Sequence, residues 1–90
     1  MYGEHHKDPV ILALAALAAT IGDERRAQRF LDLTGIGTEE LRARAADPAL
    51  LSALLRFLEA HEPDLLAVAD DVGATPVDLV EARQKLEEGL

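Results

Sequence analysis

Residues 49–62 read ALLSALLRFLEAHE, and this stretch decides the fold. Leu50, Leu54, Phe57 and Leu58 fall at i, i+4, i+7 and i+8 with Leu51 and Leu55 beside them, which on a helix makes one broad apolar stripe. Arg56, Glu59 and Ser52 are left for the wet side. Asp47 offers a carboxylate to cap the first turn, and Pro48 at the first helical position has no N–H to leave unpaired. A stripe this wide must be covered, so the other elements are expected to pack around a central helix over 48–61.

On the N-terminal side, Asp8 and Pro9 open a helix over 9–21 in which Val10, Leu14, Leu17 and Ile21 keep helical spacing, and Gly22 stops it. Asp23 caps a second helix over 24–34, with Ala27, Phe30, Leu31 and Thr34 on one face and Arg25, Arg26 and Arg29 on or beside the other. Gly35 supplies the left-handed residue that closes it, and Ile36 is expected as a plug between helices. Thr38 is read as the cap of a short third helix over 39–46, with Leu41 and Ala45 inward. On the C-terminal side, Pro63 biases its predecessor away from helical geometry and divides the central helix from one over 64–72. The inner face of that helix is read as Leu65, Leu66, Ala69 and Val72, with Gly73 as terminator. Thr75, Pro76 and Asp78 then form a capping box for a helix over 76–87, and the closing LEEGL is expected to fray. The fold class is therefore all-α, a compact array of about six short helices. Residues 1–8 read as a tail and 9–90 as a single helical domain.

Composition agrees with this reading and narrows the function classes. Of 90 residues 49% are hydrophobic, chiefly Leu and Ala, and only 3% aromatic, a balance that favours helix over strand. Nine basic against seventeen acidic residues leave a formal charge of −8, which opposes binding to phosphate backbones and to anionic lipid. With no cysteine there is no disulfide, thiolate metal site or thiol nucleophile. The longest apolar run, 10–21, falls well short of the ~20 residues that a spanning helix needs. The leading MYGEHHKD lacks the net positive charge of a secretory signal, so a cytoplasmic location is expected.

Glu4, His5, His6 and Asp8 carry metal-ligand chemistry, but adjacent histidines on a tail do not present both rings in one geometry, so no metal or cofactor is expected. His61 beside Glu62 has the chemistry of a general base or of a cation at a helix C-terminus, and nothing in the spacing completes a catalytic set around it. Residues 65–86 have the cadence of a helix-turn-helix. A reading helix should present Arg, Lys, Asn or Gln near its start, whereas this one presents Thr75, Pro76, Val77, Asp78 and then Glu81. From 64 to 90 there are seven acids and two bases, so an ordinary corner between helices is the better reading. Arg25, Arg26, Arg29, Arg42 and Arg44 concentrate positive charge in an acidic chain, either paired with the neighbouring carboxylates or facing an acidic partner.

With RFLDLTGIGTEELRARAADPALLSALLRFLEAHE and GATPVDLVEAR both read, the chain resembles a small all-helical alphaproteobacterial family catalogued as a domain of unknown function, numbered thirty-five seventy-two. The resemblance spans residues 10–86. It rests on Arg29-Phe30-Leu31, Thr34-Gly35, Leu41-Arg42, Pro48, Phe57-Leu58 with Glu62, Gly73, Pro76 and Ala82-Arg83 in that order. Arg56, where an acid is expected, departs from the pattern. The resemblance implies a unit of this size without an assigned activity, and it brings no catalytic residues.

The function expected is a non-enzymatic module that docks a protein partner or a second copy of itself, with no catalytic residue and no small-molecule ligand. Six short helices rich in Leu and Val are hard pressed to hide every apolar side chain, and an uncovered patch marks an association site. The candidate surface is Arg25, Arg26, Arg29, Val68, Val77 and Leu79, with Leu90 also a candidate for exposure. Two alternatives stand beside it. One is a DNA-binding module of the helix-turn-helix kind in transcription regulation, and the other a metal-responsive or enzymatic role for His5, His6 and His61.

Overall fold

Three helices start alike. In the computed structural model, which describes residues 8–90, Asp8 Oδ1 accepts the backbone N–H groups of Val10 and Ile11 at 2.9 and 3.0 Å. Asp47 Oδ1 accepts that of Ala49 at 2.9 Å, and Thr75 Oγ1 accepts that of Asp78 at 3.1 Å. A proline follows each cap, where its fixed φ suits the first turn and its missing N–H is no loss. Asp78 returns the bond by accepting the Thr75 N–H at 2.9 Å, which completes the capping box read from the sequence.

The elements in chain order are α1 (Pro9–Ile21), α2 (Glu24–Thr34), α3 (Thr38–Ala43), α4 (Pro48–Glu59), α5 (Glu62–Val72) and α6 (Pro76–Glu88). No strand occurs among the described residues, and the all-α array of six helices stands as read. Gly35 and Gly73 close α2 and α5 at φ of 72° and 73°, a backbone that side-chain-bearing residues rarely adopt. Gly22 ends α1 at φ −69°, an ordinary right-handed conformation.

Several boundaries differ from the sequence reading. Gly37, not Thr38, makes the extended break before α3, so Thr38 is already helical and no side chain caps that helix. Arg44 leaves helical geometry at φ −108°, ψ 15°, which ends α3 at Ala43 instead of 46. The central helix stops at Glu59 and α5 starts at Glu62. His61 takes the extended conformation between them, at φ −138° and ψ 91°. Pro63 therefore sits inside the first turn of α5, where N–H groups have no intrahelical partner anyway.

Leu50, Leu51, Leu54, Leu55 and Leu58 of α4 are buried, and the other helices close on them as the sequence required. α1 contributes Leu12, Ala13, Ala16 and Leu17, and α6 contributes Leu79, Ala82 and Leu86. α5 adds Val68 and Ala69, while α2 and α3 insert Phe30 and Leu41. Ile36 packs partly buried against the same cluster. The inner face of α5 is Leu65, Val68, Ala69 and Val72, the full i, i+3, i+4, i+7 set, so Leu66 turns outward and is 51% exposed. Thr20, wholly buried in α1, donates its hydroxyl to Ala16 O at 2.8 Å and so leaves no unpaired polar atom.

Candidate interaction surface

The arginines of α2 divide by what they touch. Arg26 Nη1 donates to the Ala19 carbonyl at 3.2 Å and to Asp71 Oδ2 at 3.4 Å, and its backbone N–H is capped by Asp23 at 3.0 Å. It is a tie between α1, α2 and α5. Arg29 pairs with Asp64 of α5 and lies over the Phe57 ring, 5.7 Å from its centroid. Phe57 in turn meets Phe30 edge-on at 5.3 Å. Arg44 bonds Glu40 and Asp47 at 3.2 and 3.1 Å, and Arg42 stands 3.8 Å from Glu39 with both side chains in solvent. Arg25 is exposed and makes no ion pair among the described residues.

Val68 and Leu79, expected at the surface, are both wholly buried: each lies on the core-facing side of its helix, against α1 and α4. Neither can meet a partner. Val77, in the first turn of α6, is 63% exposed, and Leu90 is likewise exposed. In the same turn Asp78 is engaged in the capping box, and further along the helix Arg83 turns back to α4. His61 stands exposed at the α4–α5 junction, and its side chain caps nothing. His5 and His6 lie outside the described residues. Among the described residues no three His, Asp or Glu side chains gather closely enough to hold a metal ion.

One cluster escaped the sequence reading. Arg83 Nε donates to Glu59 Oε2 at 2.6 Å and its Nη1 to Glu87 Oε1 at 2.9 Å. Glu87 also accepts Arg56 through two bonds of 2.6 and 2.8 Å and the Ser52 hydroxyl at 2.6 Å. Ser52, expected on the wet side, is buried because Glu87 covers it. These donors, Arg56 first and then Ser52, pull the Glu87 carboxyl from 4.5 down to about 2. The C-terminal turn of α6 is thereby pinned to α4, with Leu86 buried beneath it, and does not fray as LEEGL suggested. The visible signal was only that α4 carries Arg56 and Glu59 while α6 carries Arg83 and Glu87.

Single apolar side chains stand out elsewhere, Leu33 of α2 and Leu66 of α5 among them, but the continuous uncharged strip lies on α1. From Pro9 to Ile21, α1 has no charged side chain, and its one hydroxyl is buried. Its outward side therefore consists of Ile11, 46% exposed, Ala18, Ile21 and the half-buried Leu14 and Ala15. On one flank a shallow trough of about 650 Å³ runs beside Ala15, Ala18, Ala19 and Gly22 to Arg26 and Asp71. On the other flank, Ile21 borders a hollow with Arg25 and Leu31 and a second with Leu17 and Leu41. A family model described as a protein of unknown function (DUF3572) matches residues 6–89, nearly the whole chain.

The chain belongs to this family. No curated protein and no solved structure matches it. For this DUF3572 member, the residues shared with the resemblance read from the sequence are mostly structural. Arg29, Phe30 and Phe57 form one stack, Gly35 and Gly73 close helices, and Arg83 joins α6 to α4. No helix among the described residues is long and apolar enough to cross a membrane.

Proposed function

We propose that this domain works by binding protein in the cytoplasm, not by chemistry, and that the outward side of α1 is the surface it uses. The observation that carries this reading is that a thirteen-residue helix without a single charge turns one whole side to solvent on a chain of net charge −8. Exposed apolar surface costs free energy in water, about 25 cal/mol per Å², and covering it drives association. The charged exterior around it keeps the domain soluble and steers encounter. Arg26 and Arg29, tied into Asp71 and Asp64, are better suited to holding α2 in place beside α1 than to meeting a partner.

The test compares wild type with Ala18→Arg, which puts a long cation in the middle of the exposed side without entering the core. Wild type is expected to bind protein, either a second copy or a purified partner, and the variant to lose that binding at an unchanged melting temperature. Absence of any binding that Ala18→Arg removes would overturn the proposal.

A further inference from the structure

We infer that the occupant of the α1 surface is a second copy of this chain, with the two α1 helices antiparallel across a twofold axis near Ala15 and Ala18. This rests on the reading of α1 as a docking surface and names what docks there. Two copies of a chain at −8 repel wherever their charged surfaces approach, and α1 is the helix on which no charge stands in the way. Beside its ends are groups of opposite sign. Asp8 caps the N-terminus and Arg25 borders Ile21 just past the C-terminus, and neither makes an ion pair among the described residues. An antiparallel arrangement brings each Asp8 toward the Arg25 of the other copy, twice by symmetry. It also sets the helix dipoles in opposition, which favours the pair.

Size complementarity points the same way. With Ala15 of one copy facing Ala18 of the other, helical spacing puts Ile11 opposite Gly22 and Leu14 opposite Ala19. Ile11 and Leu14 then each meet a small residue, so the backbones can approach closely. A parallel pair would set Ile11 on Ile11 and Asp8 on Asp8, crowding one end and repelling at it. Glu24 lies beside Arg25 in the same hollow, where it opposes an incoming Asp8. Its removal should therefore tighten the pair.

Sedimentation equilibrium of the full chain at low salt tests this. A concentration-dependent dimer is expected, lost in Ala18→Arg and tightened in Glu24→Gln. Asp8→Asn, which keeps the helix cap, and Arg25→Gln should each weaken the dimer about three- to tenfold, as two exposed ion pairs warrant. The double variant should be little weaker than either single one, since both remove the same contact. A chain that stays monomeric, a dimer indifferent to Ala18→Arg, or additive effects of Asp8→Asn and Arg25→Gln would overturn the antiparallel pair. A monomer that still binds another purified protein through α1 overturns self-pairing and leaves the docking function standing. A monomer with no α1-dependent binding overturns both.

Discussion

Arg83 and Glu59 meet at 2.6 Å between α6 and α4, with 14% and 24% of their side chains in contact with solvent. The guanidinium bridges two acids on different helices, Glu59 through Nε and Glu87 through Nη1, and is held charged by Glu59 above all. Because both partners are largely covered, removing one leaves the other desolvated with its bonds unmade. Arg83→Met should cost about 1–3 kcal/mol in urea unfolding. The double variant with Glu59→Gln should cost less than the sum of the single changes. Strict additivity would mean that the pair contributes nothing of its own.

The acid limb of the stability profile follows from Glu87. Its carboxyl is lowered from 4.5 to about 2 in the folded protein, so the folded state holds the proton less tightly than the unfolded one. The stability this gives is fully present above 4.5 and is lost as pH falls through the folded value near 2. The carboxyls of Asp23 and Asp47 are lowered too, mainly by accepting backbone N–H groups of Arg26 and Ala49, and act with the same sign. Melting temperature should therefore fall on acidification below 4.5, and Glu87→Gln should flatten that fall. A wild-type-like slope in Glu87→Gln, followed by circular dichroism, would refute the assignment.

Gly35 and Gly73 give a separate test of backbone conformation, because a Cβ at either would meet nothing within 4 Å while φ is positive at both. Alanine there should cost about 1 kcal/mol or more from the left-handed conformation alone, and Asn, which tolerates it, less. Gly89, with φ of −88° and only the Leu86 carbonyl 3.6 Å from where a Cβ would sit, should accept alanine at little cost. Equal melting temperatures for Gly73→Ala and Gly89→Ala would contradict the assigned backbone.

What could be read without coordinates was local. Asp8-Pro9, Asp47-Pro48 and Thr75-Pro76 mark helix starts because cap and proline act within one turn, so those starts fall where expected. Where no side chain caps, before Thr38 and Glu62, the boundary moved. The family resemblance was legible for the same reason, since its motifs are caps, closers and short stacks. Within α5 the i, i+3, i+4, i+7 set of Leu65, Val68, Ala69 and Val72 was there to read, but the sequence reading puts Leu66 inward in place of Val68. In α6, where Val77, Leu79 and Val80 crowd the start, Leu79 looks like its apolar neighbours until α1 and α4 are placed against it. Ser52 and Arg56 likewise acquire their roles from Glu87, thirty-five and thirty-one positions away. For the candidate surface, the absence of charge in 9–21 was visible, but which side of that helix faces water was not.

Arg29 and Asp64 are unequal partners, and mutation should expose the asymmetry. Arg29 keeps 45% of its side chain in solvent while Asp64 keeps 13%. Truncating the arginine strands a carboxylate in a covered site and also removes the cation over the Phe57 ring. Neutralising the aspartate lets the guanidinium turn toward water while it still lies along the ring. Arg29→Met should therefore destabilise by about 1–3 kcal/mol, and Asp64→Asn by about 1 kcal/mol or less. Arg29→Lys should fall nearer to Met than to wild type, since an ammonium loses both the planar stacking and the forked donor set. Denaturant midpoints of the three variants measure this order, and an Asp64→Asn protein less stable than Arg29→Met would reverse the assignment of which group the fold has buried.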